Sequence, residues 1–169
     1  MNPCWTNLFE RMAATGEFDM ERLTPTLLES TFLAEQAVIR CFGPDESNIE
    51  AGIAAYLCLL ETASPEWKEM ALAFVDESLQ GSGVLYGLVG ELLLRAKGYR
   101  VLTISKNPAY WSIVRRYGLY AATQRTMDVK SFAEKVGLTG PGRRNRLPDA
   151  ALSDSLPRLS NGTRALFVR

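Results

Sequence analysis

The sequence predicts an α/β or α+β domain, and three observations carry that expectation. Two apolar runs, Ile53 to Leu60 and Glu69 to Asp76, are bounded by turn residues and are short enough to be buried strands. A third run, Arg100 to Ser105, is rich in β-branched residues. Around them lie stretches whose apolar residues recur at helical spacing. With 169 residues, 47% hydrophobic and 22% charged, the chain suits one soluble domain over 1–169 with a real core.

Taken in order, Trp5, Leu8, Phe9 and Met12 give residues 1–16 an amphipathic N-terminal helix. Glu17 to Leu23 reads as a short strand. Thr24 is placed as an N-cap, with Pro25 at the first helical position, where a missing N–H leaves nothing unpaired. That helix is expected to run to about Arg40, with Gly43-Pro44 beyond it. Ile53 to Leu60 shows no clear alternation, which fits a strand buried on both faces, a helix being the alternative. After the run ending at Asp76 comes Ser78 to Gly83, then a helix from Val84 to Lys97 with Gly98 placed to end it. Asn107-Pro108 opens another helix, to about Arg116, closed by Gly118. Leu119 to Asp128 reads as a strand, 137–163 as a long basic loop or tail, and Ala165 to Val168 as a last strand.

Composition removes several chemistries. The chain has no histidine, which excludes Ser-His-Asp and Cys-His triads, His-ligated zinc and any imidazole base. Proton transfers would fall to carboxylate, tyrosine, lysine, an amine or water. Cys4, Cys41 and Cys58 are odd in number and widely spaced, so neither a disulfide framework nor a metal site is expected. No apolar run reaches the ~18 residues of a membrane span, and no basic stretch leads into an apolar one at the start. A cytoplasmic protein without membrane contact is the expectation.

Zero net charge hides an asymmetry. Residues 1–79 carry 14 acidic and 4 basic side chains, a balance of −10, and residues 80–169 carry 5 and 15, a balance of +10. Such a split suits an anionic ligand for the second half: a phosphorylated cofactor, a nucleic acid or an acidic partner. Attraction between the two halves is the alternative. Arg143-Arg144-Asn145-Arg146 forms a basic cluster, but it lacks the interleaved aromatics or module of a nucleic-acid binder.

The segment with most chemical content is Gln80-Gly81-Ser82-Gly83, between a strand and a helix. Amides at a helix start favour phosphate, and glycines let the backbone approach it. A P-loop would need Gly-x-x-x-x-Gly-Lys-Ser/Thr, and no lysine follows here. In a dinucleotide fingerprint the third glycine would stand one place before Gly87, and the next strand would end in an acidic residue rather than Ser105-Lys106.

VDESLQGSGVLYGLVGELL and the later VLTISKNPAYWSIVRRYGL together resemble the Gcn5-related N-acetyltransferase (GNAT) superfamily, over about residues 70–120. Gln80, Gly81 and Gly83 fall on that family's Arg/Gln-x-x-Gly-x-Gly/Ala loop, and Asn107 and Gly118 on its later Asn-to-Gly-Phe motif, with Leu119 in the Phe place. The resemblance implies an acyl-CoA N-acyltransferase-like domain with a mixed central sheet flanked by helices. It also implies acetyl-CoA, or another acyl-CoA, bound by Val75, Gln80, Gly81, Ser82, Gly83, Val84 and Asn107. The implied reaction is direct attack of an amine on the thioester, the acceptor being a small molecule or a protein, with a homodimer as a further partner. Backbone N–H groups near Phe74 to Asp76 would polarise the carbonyl, and Glu69 would be the base, with Asp76 and Glu77 as alternatives and deprotonation through water equally open.

Two positions depart from the family pattern. Leu85 stands where the loop's last small residue belongs, and Val114 where a tyrosine often protonates the thiolate. Tyr110 and Tyr117 lie four before and three after Val114, on the same helical face, so either could deliver a phenol. A module on this fold that binds without catalysis is one rival, and an interaction protein using its charged surface is another.

Overall fold

The computed structural model describes residues 1–18, 20–105, 107–121 and 165–168. The described chain runs α1 (Pro3–Ala14), α2 (Pro25–Leu33), β1 (Ala37–Cys41), β2 (Ile53–Glu61), β3 (Trp67–Val75), α3 (Val84–Arg95), β4 (Arg100–Ser105), α4 (Pro108–Arg116), β5 (Tyr120–Ala121) and β6 (Ala165–Val168). Among these residues, two compact units separate. Met1–Leu59 with Ala71–Arg95 form one, and Leu60–Met70 with the described residues after Arg95 form the other.

In the first unit the strand order is β1-β2-β3. Asn2 caps α1 by accepting from the Cys4 N–H at 2.9 Å, and Trp5, Leu8 and Met12 form its buried stripe. Trp5 packs against Phe32 at 5.4 Å and edge-on to Tyr56 at 6.3 Å between ring centroids. The Tyr56 hydroxyl donates to the Leu28 carbonyl at 3.2 Å, and burial pushes this phenol well above its ordinary pKa. Leu8, Met12 and Leu28 are fully buried, each contributing ~1.5–3 kcal/mol of apolar transfer.

Two expected elements end differently. The helix that opens at Thr24 stops at Leu33 rather than near Arg40, because Glu35 takes a left-handed backbone (φ 60). Its N–H bonds the Phe32 carbonyl and the Gln36 N–H bonds the Thr31 carbonyl, which is the Schellman closure of a helix. Residues 37–41 then pair as β1, antiparallel to β2, from Ala37↔Cys58 to Cys41↔Ile53, with a register shift between Arg40 and Cys41. The described residues of Glu17–Leu23 form turns rather than a strand. Phe18 and Met20 alternate with charged neighbours, but Arg22 breaks the pattern after them, and of the described residues there only Leu23 is buried.

β2 is buried from Ile53 through Leu60, as a strand covered on both faces must be. α3 buries Leu88, Val89, Leu92 and Leu93. It is tied to β1 by Arg40–Glu91 at 2.9 Å and by Arg95 donating to the Ala37 carbonyl at 2.9 Å.

In the second unit the order is β3-β4-β6-β5. β4 runs parallel to β3 through Trp67↔Arg100, Lys68↔Val101 and Glu69↔Leu102, and antiparallel to β6. The sheet is therefore mixed. Asn107 caps α4 by accepting from the Ala109 N–H at 3.0 Å, Pro108 occupies its first turn, and Gly118 (φ 89) follows its end. Tyr110, Trp111 and Val114 form its buried face. β5 covers the first described residues of the expected strand 119–128, and β6 matches the expected last strand; 122–128 and the segment 137–163 lie outside the described residues.

Candidate functional site

The turn between β3 and α3 is built by one carboxylate and two glycines. Asp76 ends β3 with its N–H on the Ala54 carbonyl at 2.7 Å. Its Oδ2 accepts from the Ser78 N–H at 3.0 Å and from the Ser78 hydroxyl at 2.6 Å, capping a short 3-10 turn over Glu77–Leu79. Its Oδ1 accepts from Arg11 at 3.1 Å. The Ser78 hydrogen bonds, with the Arg11 guanidinium, hold this carboxyl below its ordinary pKa, which makes it a weaker base. The Gln80 side chain folds back, donating to the Val75 carbonyl at 3.4 Å.

Gly81 (φ 80) and Gly83 (φ 83) then take left-handed conformations, and a Cβ at either would meet nothing within 4 Å. Backbone conformation, not crowding, demands glycine here. Residues 80–83 are exposed, so the turn is open to a ligand.

Gly83 also accepts the first bond of α3, from the Gly87 N–H at 3.2 Å. The caps of α1, α2 and α4 are Asn2, Thr24 and Asn107, each with a side-chain oxygen on a first-turn amide. Gly83 has no such oxygen to offer. The N–H groups of Val84 and Leu85, which as first-turn amides have no intrahelical acceptor, face that end with the positive pole of the helix. No acidic residue stands in this first turn. The local chemistry is that of an anion site.

β3 itself is distorted upstream. Leu72 is left-handed (φ 59) inside the strand, a sparsely populated conformation for a bulky residue. The Cys58 thiol donates to the adjacent Ala71 carbonyl at 3.4 Å. The β3–β4 register runs only to Glu69↔Leu102, and the next carbonyl, Met70, accepts from the Thr103 hydroxyl at 2.7 Å instead. A side chain here takes over from the ladder.

The first unit thus brings together Val75, Gln80, Gly81, Ser82, Gly83 and Val84, while Glu69, Asn107, Tyr110 and Tyr117 belong to the second. Glu69 is buried in β3, 1% exposed. The Tyr110 phenol lies 2.9 Å from Thr103 Oγ1. Since that hydroxyl already donates to Met70, the phenol is the donor, in a buried chain Tyr110–Thr103–Met70. Tyr117 is half-buried at the C-cap of α4. Leu85 is half-buried, and Val114 is fully buried beside Tyr110 on α4.

No protein-family model and no curated protein sequence matches the chain, so likeness to known proteins is one of backbone. The N-acetylglutamate synthase of Neisseria gonorrhoeae, solved with coenzyme A and N-acetyl-glutamate, superposes with a TM-score of 0.58 at 15% identity over 99% of this chain. A protein of Desulfovibrio desulfuricans, assigned to the GNAT family, gives 0.56 at 13% identity over 100% of this chain and 93% of its own. The chain has the GNAT fold. The diaminobutyrate acetyltransferase of Paenibacillus lautus, solved with L-2,4-diaminobutyric acid and coenzyme A, shares it, with a TM-score of 0.56 at 14% identity over 97% of this chain and 87% of its own. This chain spans about a third of the Neisseria synthase, 32% of its length. In this GNAT-fold chain the two sequence motifs occupy the turn before α3 and the whole of α4.

Sequence reasoning missed Arg11, Cys58, Leu72 and Thr103. Arg11 carried a signal, since it lies three residues after the buried Leu8, a cation at the edge of the apolar stripe. Leu72 carried none, because nothing in a leucine announces a left-handed backbone.

Proposed function

We propose that this chain is an acyl-CoA-dependent N-acyltransferase that moves acetyl, or another acyl group, from its CoA thioester to an amine on a small molecule or protein. One observation supports it above the others: the exposed turn Gln80–Val84, with two left-handed glycines, open space around them and a helix start that has no capping side chain. That turn would receive the diphosphate, with Val75 and Asn107 as the further proposed contacts. The coenzyme A and amine-bearing acceptor in the Paenibacillus neighbour support the same substrate classes here.

In the proposed reaction the amine nitrogen attacks the thioester carbonyl carbon, the C–S bond breaks, the nitrogen loses a proton and the sulfur gains one. Glu69, buried in β3, is the proposed base. Tyr117, half-buried, is the proposed acid. Tyr110, whose proton is engaged by Thr103, serves better to hold α4 on β4 than to give that proton away. The cytoplasm is the proposed compartment.

A second reading, a GNAT-fold module that binds without turnover, is favoured by Leu85 and Val114, which replace a small residue and a tyrosine of the family pattern. Isothermal titration with acetyl-CoA, followed by thiol release across an amine panel, tests both. We expect saturable binding by the wild type and loss of it in Gly83→Glu, where a carboxylate meets the diphosphate and φ 83 strains the backbone. Equal affinity in both proteins would remove the turn as the site, and binding without thiol release would favour the second reading.

A further inference from the structure

We propose that Arg11, on α1, is a positioning residue for the acyl-CoA turn, acting through Asp76. The inference rests on the acyl-CoA reading above and adds a remote residue to it. Every donor nitrogen of the guanidinium is committed: Nη1 to Asp76 Oδ1 at 3.1 Å, Nη2 to the Ile53 carbonyl, and Nε to Asn7 Oδ1 at 2.9 Å. The cation also lies 5.4 Å from the Phe42 ring centroid and 5.5 Å from that of Phe74, so it is held on its faces as well as its edges. The Phe42 ring lies close over Gly52, 3.1 Å from where a Cβ there would be.

Asp76 divides its carboxylate between two tasks. Oδ1 faces Arg11, and Oδ2 holds the Ser78 N–H and hydroxyl that start the turn. From there the turn is a relay of backbone bonds: Leu79 N–H to Asp76, Gln80 N–H to Glu77, and Ser82 N–H to Leu79. The glycines that present amides to the diphosphate follow directly. α1 therefore sets, through one ion pair, the rotamer of the residue that shapes the turn. A surface ion pair alone is worth little, but this one is braced by a carbonyl and two rings on one side and by a cap on the other.

The test uses the full chain with coenzyme A as the probe. Arg11→Met and Asp76→Asn should each weaken coenzyme A binding about tenfold. Both should speed amide exchange at Ser78, Leu79, Gln80 and Ser82, while β1 and α2 exchange as in the wild type. The double variant should bind no worse than either single one, and Arg11→Lys should recover part of the affinity. Unchanged affinity in Arg11→Met, or exchange raised equally throughout the first unit, would overturn the inference and leave the acyl-CoA reading intact. Failure of the wild type to bind coenzyme A would overturn both.

Discussion

Asp76 divides one carboxylate between an ion pair to Arg11 and the turn before α3. Its carboxyl is held below its ordinary pKa of 3.8, first by the Ser78 hydroxyl and then, more weakly, by Arg11. A group whose pKa is depressed by folding stabilises the native state above its unfolded pKa and loses that contribution as pH falls through the folded value. Wild type should therefore exceed Asp76→Asn in urea midpoint at neutral pH, and the gap should close well below pH 3.8. A gap constant across that range would show that the carboxylate charge has no part in it. At the same scale, Gly81 and Gly83 were legible from sequence as turn residues, because glycine takes a left-handed backbone cheaply. Arg11 and Thr103 were harder to see: their partners, Asp76 and Met70, lie far along the chain, and neither residue type names a partner by itself.

Among the elements, α1, α3, α4 and β4 could be read from the chain because local rules agree there. Asn2 and Asn107 cap, apolar residues keep helical spacing, and Arg100 to Ser105 is rich in residues that favour strands. The end of α2 could not, because Glu35 does a task that glycine does more cheaply. Without a glycine to mark the stop, apolar Val38 and Ile39 extend the helical pattern into what is β1. Replacing Glu35 by glycine should raise unfolding stability by about 1 kcal/mol, by relieving a left-handed backbone. The Arg95 bond to the Glu35 carbonyl at 3.1 Å does not depend on that side chain. A lower urea midpoint in Glu35→Gly would show that the glutamate side chain matters more than its backbone. The distortion of β3 at Leu72 is the other illegible feature: it arises where Thr103 and Cys58 take carbonyls that a regular ladder would use, a tertiary effect with no local signature.

Over the whole chain, the fold recurs in solved structures that share only 13–15% of its residues. Two short motifs, around Gln80 to Gly83 and from Asn107 to Gly118, sufficed to anticipate that fold. The charge balance of +10 begins at residue 80, the first residue of the turn proposed to meet a diphosphate. Among the described residues no helix is long and apolar enough to cross a membrane. The central claim is that the amides at Gly81, Gly83, Val84 and Leu85 bind the diphosphate of an acyl-CoA. Amide NMR during titration with coenzyme A tests it most directly. Those four resonances should shift first and furthest, saturating together; saturation elsewhere in the chain with all four unmoved would contradict the account.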